Sequence, residues 1–400
     1  MTKRLKRNWH SNMTQNTLNM TFIITTIAIL LPFYIGAVVM LIHFVYLVWI
    51  NRKSLINQIR NLGWIGFFIL YAAIVSLANR NYIGLAISLL LFLFAIYFSS
   101  YLELFSAKLY VQLLKTISIG SLFVGLYNII NYIKYVSENN YSLLYILQTS
   151  NPQFRAEATF FNANYYGLFC IFALLICIYL WNYTHSRKLR FIYGLTIIIN
   201  FISIIMTASR MLLPTVVIAT FVLVVFINKR LALTFLGIGI LGVVVIILNP
   251  SLFPRFESLA YGFEDRLGLW NTGWNIFLTR PLTGRGPLAY VNFYYLFINE
   301  TDIHSHQLLI DSLANYGLFG IFILFNALIP YFRKLIEAIK EPSIRLEVGL
   351  ILAFIVAVVV HGLVDVSIFW LQTGFVFLVV CLCPTDKMEE IHLYQLENLA

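Results

Sequence analysis

The chain has 400 residues, of which 60% are hydrophobic and only 11% charged. Soluble domains carry about 25% charged residues, so this chain has too few to cover a water-facing surface, and soluble, disordered and coiled-coil classes are excluded. At roughly 20 apolar residues per spanning helix, the composition fills about a dozen transmembrane segments. The net charge of +10, from 27 Lys and Arg against 17 Asp and Glu, fits cytoplasmic loops of a membrane protein better than a nucleic-acid surface.

Lys3, Arg4, Lys6 and Arg7 precede an apolar stretch too long for a signal-peptide core and lacking a small-residue cleavage site, which predicts an uncleaved first span. Runs of Leu, Ile, Val and Phe broken by charges then predict spans at 19–31, 33–50, 62–78, 83–101, 109–132, 165–181, 189–206, 211–227, 231–248, 308–331, 346–360 and 368–383. Pro32 marks either a tight turn between two short helices or a kink in one long helix. All are read as helices, because a lipid-exposed backbone must satisfy its own hydrogen bonds. The expected architecture is an all-α polytopic integral membrane protein of about 12 spans. Residues 1–132 hold spans 1–5, 133–164 an outer loop, 165–248 spans 6–9, 249–307 a large outer loop, 308–383 the last three spans, and 384–400 a cytoplasmic tail without a lipidation signal.

Charge sets the sidedness. With the N-terminus inside, 19 of the 27 Lys and Arg fall in inner loops, leaving 8 outside. Those eight are Arg80, Lys134, Arg155, Arg210, Arg255, Arg266, Arg280 and Arg285. Lysine suffices as an inside marker, but arginine is preferred where a planar, bidentate grip on phosphate or carboxylate is needed. An outer face so rich in arginine reads as an anion site. Cys170, Cys177, Cys381 and Cys383 lie in apolar runs and read as inert thiols.

The loop 249–307 carries most of the water-soluble chemistry, including Arg255, Glu264, Asp265, Glu300, Asp302, His304 and His306. Leu267, Trp270, Trp274 and Phe277 predict a short amphipathic helix over 265–278, ending before Arg280-Pro281. Gly284-Arg285-Gly286-Pro287 is a turn, and its spacing is not that of a nucleotide-binding phosphate loop.

Five landmarks, in order, give the sequence its resemblance to a known family. They are Phe160-Phe161-Asn162-Ala163-Asn164-Tyr165-Tyr166-Gly167; Thr207-Ala208-Ser209-Arg210; Arg266 with Trp270 and Arg280-Pro281-Leu282-Thr283-Gly284-Arg285-Gly286; His304-Ser305-His306-Gln307-Leu308-Leu309 with Gly317 and Gly320 beyond; and His361-Gly362-Leu363-Val364-Asp365. Over residues 150–370 the chain resembles the O-antigen ligase and polymerase family of bacterial envelope glycan assembly. Two positions depart from that pattern: Ala163 stands where the family has proline, and Gln307 where it has asparagine after the histidine. The resemblance implies transfer of a glycan from undecaprenyl diphosphate to an acceptor hydroxyl at the outer face of the cytoplasmic membrane. It also implies inversion at the anomeric carbon without a metal or other cofactor.

The residues fit such chemistry on their own terms. A diphosphate leaving group develops negative charge, which fixed cationic donors in a partly dry site stabilise. Arg210 and Arg266 are the leading candidates, followed by Arg280 and Arg285, with Arg155 and Asn164 as further glycan or diphosphate contacts. Each has a plain alternative as an interfacial anchor, a local ion pair or a solvated loop cation. His306 is the candidate base for the acceptor hydroxyl, because histidine titrates near neutrality; His304 stands beside it. His361 and Asp365, four apart on one helix face, are either part of the site or a structural pair. A metal held by Asp302, His304 and His306 with His361 and Asp365 is the rival reading, and no clear ligand spacing favours it. The expected partners are a lipid-linked oligosaccharide, an acceptor glycan or lipid, membrane lipid and a chain-length regulator, with no nucleic acid. A polymerase adding repeat units is the first expectation. A ligase transferring to lipid A core, protein or wall polymer is the second. A flippase is the third, disfavoured because ionisable residues gather outside rather than at mid-membrane.

Overall fold

The computed structural model describes residues 15–249, 259–297 and 302–399. The basic residues Lys3, Arg4, Lys6 and Arg7, together with Arg255 and Glu300, lie outside them. Among the described residues the chain is helical, with no strand. The first part runs as α1 (Gln15–Ile29), α2 (Phe33–Ile50), α3 (Leu55–Asn61), α4 (Gly63–Ala78), α5 (Tyr82–Glu103), α6 (Ala107–Glu138), α7 (Tyr145–Gln148), α8 (Ala163–Tyr183), α9 (Arg187–Met206), α10 (Leu212–Ile227) and α11 (Lys229–Leu248). Then follow helices Leu259–Thr279, Ala289–Phe293, Leu308–Ile339, Arg345–His361, Leu371–Cys381 and Met388–Leu399.

Every apolar run picked out in the sequence lies on a helix, but length trims the number that can span alone. Among the described residues, seven helices are long and apolar enough to cross a membrane, or up to nine if each of two bent pairs is one span. The bent pairs are α3 with α4, at 85°, and Leu371–Cys381 with the C-terminal helix, at 61°. α1 and α10, at 15 and 16 residues, reach only about 24 Å against a hydrocarbon core of about 30 Å. Pro32 makes a turn, not a kink. α1 and α2 fold back on each other so that Thr25 Oγ1 meets His43 Nδ1 at 2.8 Å. The carbonyls left over at the end of α1 are satisfied by side chains: Gln372 Nε2 donates to Ile29 and Leu31, and Thr159 Oγ1 donates to Leu30.

α8 is apolar all round and is buried along nearly its whole length, as expected of a helix at the centre of a bundle. Phe172 on it stacks on Phe354 of Arg345–His361 at 4.3 Å. All four cysteines are free and buried, consistent with thiols that only pack.

The connections sort into two sets by helix alternation. One set holds Asn51, Ser54 and Gln58, whose side chains converge on Glu103, and Arg345, which donates to the Val225 carbonyl. The clusters Arg187/Lys188/Arg190 and Lys229/Arg230 belong to this end by helix alternation. The other set ties the turn at Pro32, the stretch 149–162, Thr207–Arg210, the helix Leu259–Thr279, the stretch 302–307 and the stretch 362–370 into one assembly. It contains the candidate site.

Candidate active site

The site rests on two backbone devices. The first is at the end of α9, where Thr207 Oγ1 donates to Ile204 O at 2.6 Å and accepts from Ser209 N at 3.2 Å. This turn holds Ala208 at a left-handed φ of 52° and places the partly buried Arg210 in the link between α9 and α10. The second is at the start of Leu308–Ile339, where Gln307 caps the helix by accepting from Ile310 N at 2.5 Å. Leu308 N donates to Gly362 O at 2.7 Å, stitching the histidine stretch to the stretch that carries Asp365. Just before the cap, His306 sits at φ 53°, a conformation uncommon for a non-glycine residue. Asp311 on the first turn is buried and accepts from Ser305 N at 3.2 Å and Asn315 Nδ2 at 2.9 Å, so it fixes the stretch that carries both histidines.

His306 stands between two carboxylates. Its Nδ1 is 3.4 Å from Asp365 Oδ2 and its Nε2 is 3.1 Å from Asp302 Oδ2. Burial alone would lower its pKa, but the two carboxylates outweigh burial and push it up to about 9. The surroundings therefore favour the imidazolium, where the sequence reading took a histidine titrating near neutrality. His304 is the opposite case: burial first, then the neighbouring His306 charge, lowers it to about 4. Its Nδ1 accepts from His306 N at 3.3 Å, which leaves Nε2 to carry the proton and face Tyr165 Oη at 3.3 Å. Asp302 is the half-exposed member; burial would raise it, but the His306 hydrogen bond and charge carry it below its ordinary value. Asp365 is buried, which would raise it, yet the His306 hydrogen bond and the surrounding imidazoles hold it well below the usual carboxylate range.

Asp365 also joins this cluster to the arginines. Its Oδ2 accepts from Asn164 Nδ2, and its Oδ1 accepts from Val366 N at 2.7 Å and Ser367 Oγ at 3.2 Å. Asn164 Oδ1 accepts from Arg155 Nη2 at 3.1 Å, and Arg155 Nε donates to Thr207 O at 3.0 Å. Arg266 donates through Nη1 to the Val364 carbonyl. Trp270, one turn along, reaches His306 O at 3.4 Å. Burial lowers the pKa values of Arg155, Arg210 and Arg266; Arg266 lowers Arg210 further, and at Arg155 the charges of Glu157 and Asp365 oppose burial while Arg266 and Arg210 add to it. For Arg266 burial is opposed by Asp365 and Asp302. Three guanidiniums within electrostatic reach of one another form a region that favours an anion.

The structure therefore brings together His304, His306, Asn164, Asp365, Arg155, Arg210 and Arg266, with buried His361 one turn before Asp365 and accepting from Asp365 N at 3.1 Å. It does not bring Arg280 and Arg285 to them. Those lie past the far end of Leu259–Thr279, about 20 Å along the helix from Arg266. Arg280 is exposed; Arg285 bonds Thr279 Oγ1 at 2.8 Å and lies over the Phe293 ring at 4.4 Å. Their turn serves as a clasp. Leu308–Ile339 breaks at Gly317 (φ 60°, ψ −175°), and the freed amides of Leu318 and Phe319 bond the carbonyls of Pro281 and Leu282, each at 2.9 Å. Gly286 N donates back to Asn315 O at 2.7 Å.

The helix Leu259–Thr279 also differs from its sequence reading. It starts earlier, and Leu267 and Trp274 are exposed. The buried side is Thr272, Gly273, Ile276 and Phe277, because Gly273 lets the helix press against Ser305 and Ile310 more closely than any Cβ would permit. Sequence reasoning missed the site roles of Tyr165 and Asp311 and placed Asp302 only in a metal set. Asp302, four residues before His306, was the available signal. Asp302, His304 and His306 each offer a ligand atom within 4.8 Å of the others, a grouping that could hold a metal ion.

Compared with known proteins, residues 195–325 match a family model described as O-antigen ligase. The matched stretch includes Arg210, Arg266 and the histidine pair; Arg155, Asn164 and Asp365 lie outside it. No curated protein matches the chain.

Proposed function

Because residues 195–325 carry the domain of the O-antigen ligase family, we propose that this protein is an integral-membrane glycosyltransferase acting on a glycan linked to undecaprenyl diphosphate. The observation that carries the reading is the convergence, at one end of an apolar bundle, of three mutually repelling arginines with a histidine flanked by two carboxylates. Arg155, Arg210 and Arg266 bind the diphosphate and stabilise the charge it gains as the anomeric C–O bond breaks. The acceptor hydroxyl enters on the exposed side of His306, displacing Asp302 from Nε2. As Asp302 swings away it carries the Nε2 proton of His306 out to solvent; with one of the two carboxylates gone the ring's affinity for a proton falls, and the neutral Nε2 takes the one released by the hydroxyl. The acceptor oxygen bonds to the anomeric carbon, and the electron pair of the broken bond leaves with the diphosphate. Asp365, buried on Nδ1, orients the ring and stabilises the imidazolium formed.

For sidedness we take the arginine-rich end as extracytoplasmic and the opposite end as cytoplasmic, on the positive-inside rule. For the acceptor we take a second lipid-linked repeat unit, making the enzyme a polymerase of O-antigen, capsule or exopolysaccharide type. The test is reaction of the purified protein with lipid-linked repeat units. A ladder of product lengths supports the polymerase, a single conjugate with an added lipid or protein acceptor supports the ligase, and no product from either overturns the reading. A metal-dependent version has one observation behind it, the Asp302–His304–His306 group. Full activity after chelation is the expected result, and loss that zinc or magnesium restores assigns the metal-dependent version instead.

A further inference from the structure

A run of aromatic rings leads from the histidine pair to the surface. Tyr165, whose hydroxyl meets His304, stacks on Trp370 with centroids 5.1 Å apart and planes at 30°. Trp370 meets Phe33 at 5.0 Å, Phe33 meets Phe161 at 5.7 Å, and Phe161 meets Tyr34 at 6.4 Å. Exposure rises along the run to 58% at Phe161 and 54% at Tyr34. Beyond Tyr165 on the first turn of α8, three separate segments supply the rings: the turn after Pro32, the approach to α8, and the stretch before Leu371–Cys381.

The run is held in place rather than merely collected. Trp370 Nε1 donates to Gln372 Oε1 at 2.8 Å, while the same Gln372 amide pins the Pro32 turn through Ile29 and Leu31. Thr159 Oγ1 ties the Phe161 stretch to Leu30 at 2.8 Å. Phe161 itself sits at a left-handed φ of 57°. A bulky residue in that region is strained, and folding is not repaid by burying its ring, because the ring is mostly exposed. Its neighbour Phe160 shows the contrast: fully buried and stacked on Phe169 at 4.8 Å, it does the packing for both. Strain kept at an exposed ring that continues a path from the reacting centre points to a ligand.

We propose that Trp370, Phe33, Phe161 and Tyr34 form a platform on which sugar rings of the lipid-linked glycan stack as they approach His306. The face of a pyranose presents C–H groups of partial positive charge, which meet the electron-rich face of an aromatic ring. Phe161 lies in the connection before α8 and Phe33 and Tyr34 open α2, so the platform caps the bundle end instead of running down a lipid-facing flank. This inference rests on the glycosyltransferase reading and adds where the carbohydrate lies.

The experiment compares binding of two probes to the full-length protein in detergent: undecaprenyl diphosphate bearing its oligosaccharide, and undecaprenyl diphosphate alone. Phe161→Gly removes the ring and relaxes the left-handed backbone, so it keeps the fold; Phe161→Trp restores a ring. Phe161→Gly is expected to weaken binding of the glycan-bearing probe by roughly tenfold, the scale of one to two lost aromatic contacts. It is expected to leave the diphosphate lipid unchanged, and Phe161→Trp is expected to recover the loss. Equal loss for both probes assigns the rings to the prenyl chain and overturns the platform while leaving the enzyme reading intact. No loss for either assigns them to interfacial anchoring, with the same consequence. If the wild-type protein binds neither probe, the enzyme reading falls and the platform falls with it.

Discussion

Nδ1 of His306 lies 3.4 Å from Oδ2 of Asp365, a carboxylate 59 residues further along the chain. That contact joins the stretch before one helix to the stretch after the next, and it sets the electrical state of the site. Asp365 is buried and cannot leave; Asp302, on the other ring nitrogen, is 30% exposed and can.

Activity should therefore depend on pH through His306. If the free imidazole receives the acceptor proton, kcat/KM rises with pH and levels off above about 9, where the folded ring titrates. Asp302→Asn removes one of the two carboxylates that raise this value, so the midpoint moves to lower pH. A profile that is flat from pH 6 to pH 9.5, or unmoved by Asp302→Asn, removes His306 from the role of base.

The same shift has a stability counterpart. The folded value of about 9 exceeds the ordinary 6.5 of histidine. The stabilisation from the imidazolium is thus complete below pH 6.5 and is lost as pH rises through about 9. Thermal midpoints of the wild-type protein should decline across that window, and those of His306→Gln should decline less.

The arginines should divide into two classes. Arg210→Ala and Arg266→Ala should each lower kcat/KM by about 100-fold or more, as removal of a charge-stabilising donor does. Lysine at either position should restore only part of the rate, since it lacks the planar fork. Arg280→Ala should stay within about twofold of wild type, because its side chain is exposed and remote from the histidines. Equal losses at Arg280 and Arg266 would show that the grouping of guanidiniums is wrong.

Gly317→Ala tests the clasp. Its φ of 60° and ψ of −175° form a region essentially reserved for glycine. An added Cβ would also collide with Gly284 N. The variant should lose about 2 kcal/mol or more of stability, read as lower yield of folded protein and a lower thermal midpoint. Gly268→Ala, inside a helix with open space around its Cβ, is the control and should lower neither.

Much of this was legible in the sequence, because a lipid-solvated helix writes itself as a long apolar run. The central place of α8 was not legible, since α2 is at least as apolar and lies mostly unburied. The histidine pair, Arg210 and Arg266 stood out because charge is rare in this composition. The role of Arg280 and Arg285 was not legible: a Pro-Leu-x-Gly-x-Gly turn with two arginines looks the same whether it binds an anion or plugs a broken helix. The distinction lies in Gly317, more than 30 residues away, whose left-handed backbone opens the helix that the turn fills. The protonation of His306 was equally hidden, since one of its two carboxylates arrives from beyond the next two membrane-length helices. The buried face of Leu259–Thr279 was misread because Gly273, with no side chain to count as apolar, sets the contact.

The seating of Asp365 has a consequence for biosynthesis. A chain still emerging from the ribosome holds every arginine of the cluster long before it holds this carboxylate. Until the stretch after Arg345–His361 is in place, Asn164 lacks its acceptor and Arg266 lacks the Val364 carbonyl that steadies it. On the proposed mechanism, the site is therefore complete only after Arg345–His361 has been inserted, and a chain not yet inserted that far cannot consume lipid-linked sugar.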